Sequence, residues 1–245
     1  MKNILKFEFD KLFRQRSFYI CSFITMALLI INILSTNIQM KDAEEINVFG
    51  WSYAAKAAGI SSFQMIAGIF TVLFVCDDFE QNTLKNIYSK GYERGSVYIG
   101  KYISSLFAML IIFTVNTALA FVLSSVLWET GSIGKYPFLI LCQLAVLIAY
   151  HALIYAISVI LEKTGSAITF SILGPMIIVL IFGFADKFFK LKDFKFADHW
   201  LDSLMTKSAD IGSSVGELSA VLVFALIYTF VFFIVGFAAN KRKQL

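Results

Sequence analysis

GSVYIGKY, residues 95–102, sets two glycines and a lysine at the spacing of a nucleotide-binding P-loop. A P-loop wraps backbone amides around phosphates, aims its Lys at the β- and γ-phosphates, and ends in a Ser or Thr that binds Mg²⁺. Here the final position is Tyr102, and Val97, Tyr98 and Ile99 are bulky. No strand precedes Gly95, and an apolar run follows Lys101. ATP chemistry therefore does not belong to these residues. They read as the exit from a loop, with Gly95 and Gly100 loosening a turn and Lys101 marking the edge of the next apolar run.

Other chemistry is sparse. The chain has no HExxH and no paired aspartates within an apolar run, so no catalytic residue is assigned. Cys21, Cys76 and Cys142 form no CxxC pair and sit in or beside apolar runs, which suggests neither a disulfide nor a metal site. His199 stands alone among charged residues and reads as a solvated or interfacial side chain.

The elements that carry these residues are set by composition. Of 245 residues, 58% are hydrophobic and 16% charged. Soluble domains average about 45–50% apolar and about 25% charged residues, so a polytopic membrane protein is indicated. A hydrocarbon core ~30 Å thick needs roughly 17–25 apolar residues to cross. Six runs approach that length: 18–36, 60–76, 103–127, 137–161, 167–185 and 218–239. The first run is not expected to be a cleaved signal peptide, because Glu8 and Asp10 precede it and no small-residue cleavage site follows. The fold class is an all-α integral membrane protein, a single domain over 1–245.

Lys and Arg orient the spans. With the N-terminus inside, segments 1–17, 77–102, 162–166 and 240–245 carry 13 of the 21 basic residues, and the opposite loops carry 8. Both termini are thus expected in the cytoplasm. The net charge of +4 reflects this bias, not a nucleic-acid surface.

Two stretches are amphipathic. In NILKFEFDKLFRQR, Leu5, Phe9, Leu12 and Phe13 recur at helical spacing with Ile4 alongside, as in a helix lying in the membrane interface or a basic flank of the first span. In 186–205, Phe188, Leu191, Phe194, Leu201 and Leu204 fall near one stripe of an outer interfacial helix. Trp51 and Tyr53 read as interface aromatics.

Within the spans, His151 is the clear ionisable residue. His151, Asn116 and Gln143 are candidates either to line a pathway or to bond neighbouring helices. Ala145, Ala149, Ala152 and Ala156 form a small-residue packing face, within the subunit or between subunits. Gly174 and Pro175 interrupt the fifth span, as a hinge or a static kink.

The loop 77–102 is the longest expected on the cytoplasmic side. DDFEQNTLKNIYSKG suits a short helix, with Asp77 and Asp78 at its start, Gly91 past its end, and Phe79, Thr83, Ile87 and Tyr88 on one face. Glu80, Thr83, Leu84, Ser89, Arg94 and Lys101 resemble the E…G-T-L…S…R…K signature of ABC exporter permeases of the ABC type 2 class. Asn82 stands where that pattern often has Gly, and Arg94 follows Tyr-Glu. The resemblance extends over the chain: an amphipathic start, six spans, the long loop between spans two and three, and an outer segment before span six.

The resemblance implies a pair of permeases, this chain with a second copy or a relative, bound to cytosolic ABC ATPases that hold ATP and Mg²⁺. The permease itself holds no cofactor. Residues 79–89 would be the coupling helix, with Phe79, Glu80, Thr83, Leu84, Ile87 and Arg94 engaged in coupling. The short outer loops resemble small bacterial plasma-membrane permeases for antimicrobial peptides, lantibiotic immunity or bacitracin-type drugs. A lipid or glycan exporter is the alternative within the family, and a non-ABC transporter or scaffold the alternative outside it.

Overall fold

The computed structural model describes residues 2–42, 51, 54, 61–128, 134–189 and 195–242. Tyr53, Leu191 and Phe194 lie outside them. Among the described residues the chain is helical and contains no strand. In chain order the helices are α1 (Lys2–Arg14), α2 (Arg16–Asp42), α3 (Ser61–Glu80), α4 (Thr83–Ser89), α5 (Arg94–Leu127), α6 (Tyr136–Leu161), α7 (Thr164–Phe189), α8 (Leu201–Ala209) and α9 (Val215–Arg242). A 3₁₀ turn, Ala197–His199, precedes α8.

Five of these, α2, α5, α6, α7 and α9, are long and apolar enough to cross a membrane. The expected run 60–76 falls in α3, which is not among the five. Its apolar stretch is short because Ser61, Ser62 and Gln64 open it and Asp77, Asp78 and Glu80 close it. The protein is a multi-pass membrane protein.

The central helix is α6. Of its most apolar window 67% is buried inside the chain, against 11% for α7 and 17% for α9. Helix α6 packs on α9, α3, α8 and α7. Its alanine face is used within the chain: Ala149, Ala152 and Ala156 are buried, and a Cβ on Gly236 of α9 would lie 3.1 Å from Ala156 Cα. Small residues on both sides let the two backbones approach. Aromatic edges fill the space around this contact, with Tyr98, Tyr102, Tyr155 and Phe233 at centroid distances of 4.9–5.5 Å.

Several expectations are corrected. Helix α5 starts at Arg94, so GSVYIGKY is not a loose turn but the first turns of a helix of 34 residues. At 1.5 Å per residue such a helix is about 50 Å long, well beyond a ~30 Å core. Asp77 and Asp78 close α3 rather than opening the short helix, and the break falls at Asn82, whose φ of 55° is left-handed. Gly91, at φ 83°, follows the short helix as expected.

The buried stripe of α1 is Ile4, Glu8 and Leu12, while Phe13 is exposed. The segment 186–205 is not one amphipathic helix. Phe188 is exposed at the end of α7, whereas Trp200, Leu201 and Leu204 are buried in the cluster around α6. Trp51 is buried in that cluster too, rather than exposed at an interface. Helix α7 continues through Pro175 without a break.

Candidate functional site

Helix α1, the end of α3, the short α4 and the start of α5 meet at one place. The contact begins with shape. Gly100 faces Ile4 so closely that a Cβ there would lie 2.8 Å from Ile4 Cγ2. Glycine therefore admits α1 against α5. Leu84, Val97 and Ile4 form a small buried cluster, flanked by Phe79, Ile87 and Tyr88.

Under this apolar contact lies a cluster of charges. Lys101 Nζ donates to Glu8 Oε2 at 3.1 Å and also to Asp78. Lys11 donates to the other Asp78 oxygen and lies 3.8 Å from Asp77. Thr83 Oγ1 donates to Asp78 Oδ1 at 2.7 Å. Both ammonium groups stand over the Phe74 ring, at 5.3 and 5.1 Å from its centroid. The side chain of Glu8 is fully buried, that of Lys101 3% exposed and that of Asp78 4%.

A buried ion is costly unless paired, and here the ion pairs span three helices, with Thr83 of α4 hydrogen-bonded to them. Asp77 and Asp78 sit in the last turn of α3, where the helix dipole disfavours negative charge. The lysines of α1 and α5 supply the compensation. Burial alone would raise the Asp78 pKa, but the charges and hydrogen bonds of Lys101 and Lys11 outweigh it and hold the carboxyl down to about 2. Asp78 is thus an ionised hub.

The sequence-assigned coupling residues divide between two faces. Leu84 is buried, Thr83 is bonded to Asp78, and Ile87 is half-buried against Leu84 and Ile4. These fasten α4 to the body. Phe79 packs on the same cluster. Arg94 opens α5 with its guanidinium 5.6 Å from the Tyr88 ring centroid. Glu80 Oε1 accepts the backbone N–H of Thr164 at 2.7 Å, which joins the end of α3 to the first residue of α7. Gln81, Asn82, Lys85, Asn86, Ser89 and Lys90 form the exposed face.

The family model described as ABC-2 family transporter protein matches residues 2–245. The chain belongs to the ABC-2 transporter family. A comparison with curated proteins finds no match. Members of the ABC-2 family are membrane components of transporters, and the exposed α4 of this permease lies in the loop that carries the family resemblance.

The other sequence-assigned residues lie elsewhere in the ABC-2 chain and apart from one another. His151 Nε2 is 2.9 Å from Ser105 Oγ, and its ring lies 4.9 Å from that of Tyr102. Asn116 donates to Thr25 Oγ1 at 3.2 Å, and Gln143 donates to the Ser208 carbonyl at 3.2 Å. Each joins two helices: α5 to α6, α5 to α2, and α6 to α8. Gly174 and Pro175 lie in α7. His199 is half-buried, with Nδ1 2.8 Å from the Lys195 carbonyl oxygen and its ring 4.6 Å from that of Phe224.

Sequence reasoning missed Glu8, Lys11, Asp78 and Lys101 as a unit. One signal was legible. Glu8 sits at i+4 from Ile4 and i−4 from Leu12, so a helix that buries both must bury a carboxylate between them.

Proposed function

We propose that this ABC-2 permease is the membrane-spanning subunit of an ATP-driven exporter of amphipathic or antimicrobial peptides or drugs. ATP and Mg²⁺ reside on a separate cytosolic ABC ATPase. The permease pairs with a second copy or a relative in a bacterial plasma membrane. In this reading α3 is the second of six spans and both termini are cytoplasmic, in accord with the Lys and Arg bias.

The observation that carries the reading is the disposition of α4. Its apolar side is fastened to α1 and α5, and its polar side is open to a partner. A helix held this way transmits a push: displacing α4 moves Thr83 and Asp78, and through Lys101 the start of α5 and through Lys11 the last turn of α1. Glu80 passes the same displacement to α7. ATPase closure acting on α4 would thereby reach four long elements through short, polar connections.

The substrate class is tested by resistance. A strain lacking the gene and its complemented counterpart are exposed to a panel of membrane-active peptides and drugs. The complemented strain is expected to tolerate at least one class better. Equal sensitivity to every compound, with altered lipid or glycan export, contradicts the peptide assignment.

A further inference from the structure

A second site lies away from the charge cluster. A cavity of about 170 Å³ opens between α3, α6, α7 and α8. Met65, Gly68, Ile154, Ile172 and Met176 give it apolar walls. Three polar side chains face it as well: Gln64, Ser171 and Asp202. Among the described residues Gln64 Nε2 and Ser171 Oγ have no hydrogen-bond partner, although Gln64 is 6% exposed and Ser171 9%. Buried polar groups are normally satisfied, so two unsatisfied ones on one cavity point to a missing partner.

Backbone chemistry adds a further acceptor. Pro175 lines the same cavity and has no N–H. The carbonyl four residues earlier, that of Ser171, therefore loses its helical donor. Asp202 supplies charge. Tyr150 donates its hydroxyl to Asp202 Oδ1, but no Lys or Arg among the described residues lies within ion-pair distance of that carboxylate. Lys207, one turn further along α8, is turned to the Asp198 carbonyl at 2.8 Å.

We propose that this cavity binds a primary ammonium group carried on an apolar chain, with Asp202 as its counter-charge. A primary ammonium has three N–H donors and no acceptor. The cavity offers a carboxylate, a hydroxyl, an unpaired carbonyl and an amide that can turn its oxygen inward. The methionine and isoleucine walls take the first methylenes. The volume is close to that of a ~150 Å³ cavity known to admit benzene, so it holds the head and a few carbons, not a whole peptide. A quaternary ammonium has the charge but none of the donors.

The proposal rests on the transport reading only for its consequence, that a bound cationic amphiphile is cargo. Binding itself needs no ATPase. The test is calorimetric titration of the whole chain in phosphatidylcholine nanodiscs, with empty nanodiscs subtracted. Dodecylammonium, dodecyltrimethylammonium and dodecanol are the probes. Dodecylammonium is expected to bind saturably, and dodecanol at least about tenfold more weakly, the scale of one charge-assisted hydrogen bond. The trimethyl analogue falls between them.

Asp202→Asn brings dodecylammonium down to the alcohol, and Ser171→Ala and Gln64→Leu each weaken it in chains that melt as wild type. Including phosphatidylethanolamine in the nanodisc separates two sources of the group. Competition assigns the site to a lipid headgroup, and no competition to a free amine. Equal binding of ammonium and alcohol by the wild type, or an undiminished ammonium preference in Asp202→Asn, overturns the proposal. Either failure leaves the exporter reading intact, and loss of the ATPase partner leaves the binding intact.

Discussion

Lys101 Nζ lies 3.1 Å from Glu8 Oε2 across 93 residues of sequence. The bond fastens the first helix of the chain to the start of α5, with Asp78 bound to the same ammonium from α3. Three helices thus depend on one buried cation.

Replacing that cation is the first prediction. Lys101→Met leaves Glu8 and Asp78 buried without it, which costs about 3–5 kcal/mol by analogy with other broken buried pairs. The melting temperature in nanodiscs should fall well below wild type. Adding Glu8→Gln should recover part of the loss, because the two changes are coupled. Strictly additive losses would contradict the pairing.

Gly100 tests the shape of the same contact. Gly100→Ala pushes a methyl group into the branched Ile4 side chain, an overpacking worth about 1–3 kcal/mol. Trypsin should then cut α1 faster at Lys6, Lys11 and Arg14. Ile4→Ala in the same chain should restore protection, since it removes the obstructing carbons. Unchanged digestion of Gly100→Ala would mean that α1 does not depend on this approach.

Glu80 and Arg94 separate coupling from folding. Glu80→Ala removes an exposed carboxylate from the first N–H of α7, worth roughly 0.3–1 kcal/mol of helix-terminus stabilisation. Insertion and melting should barely change. Coupled transport or stimulated ATP hydrolysis should drop in Glu80→Ala and in Arg94→Ala. Full activity in both variants counts against the coupling assignment.

The pH response follows from Asp78. Its folded pKa of about 2 lies below the ordinary carboxylate value of about 3.9. A depressed pKa contributes stability above the unfolded value, and that contribution is lost as pH falls through the folded one. Hydrogen exchange of α1, corrected for its intrinsic pH dependence, should show constant protection between about pH 8 and 5 and loss only below about pH 4. Loss of protection near pH 6 would require a different group to hold α1.

Five of the six expected runs were legible as long apolar helices, because such runs have no other use in a chain of this composition. Tyr136–Leu161 and Val215–Arg242 fall within three residues of the expected ends. The hairpin was less legible. Asp77 and Asp78 looked like helix-opening acids because local rules place acids there. Tertiary lysines reversed that preference, and no local pattern announces a partner 23 or 67 residues away. Lys101 read as an edge marker for the same reason. The cavity at Asp202 escaped notice because Gln64, Ser171 and Asp202 come from three separate helices, and each looks ordinary alone.

The central claim is that the exposed side of α4 receives an ATPase. Tagged protein should be purified from cells that also express its genomic neighbours, and ATP hydrolysis measured in the eluate. The wild type should retain an ABC ATPase, and a Lys85→Glu, Asn86→Glu variant should lose it while keeping wild-type melting. An eluate without ATPase from the wild type, or full retention by the variant, would contradict the account.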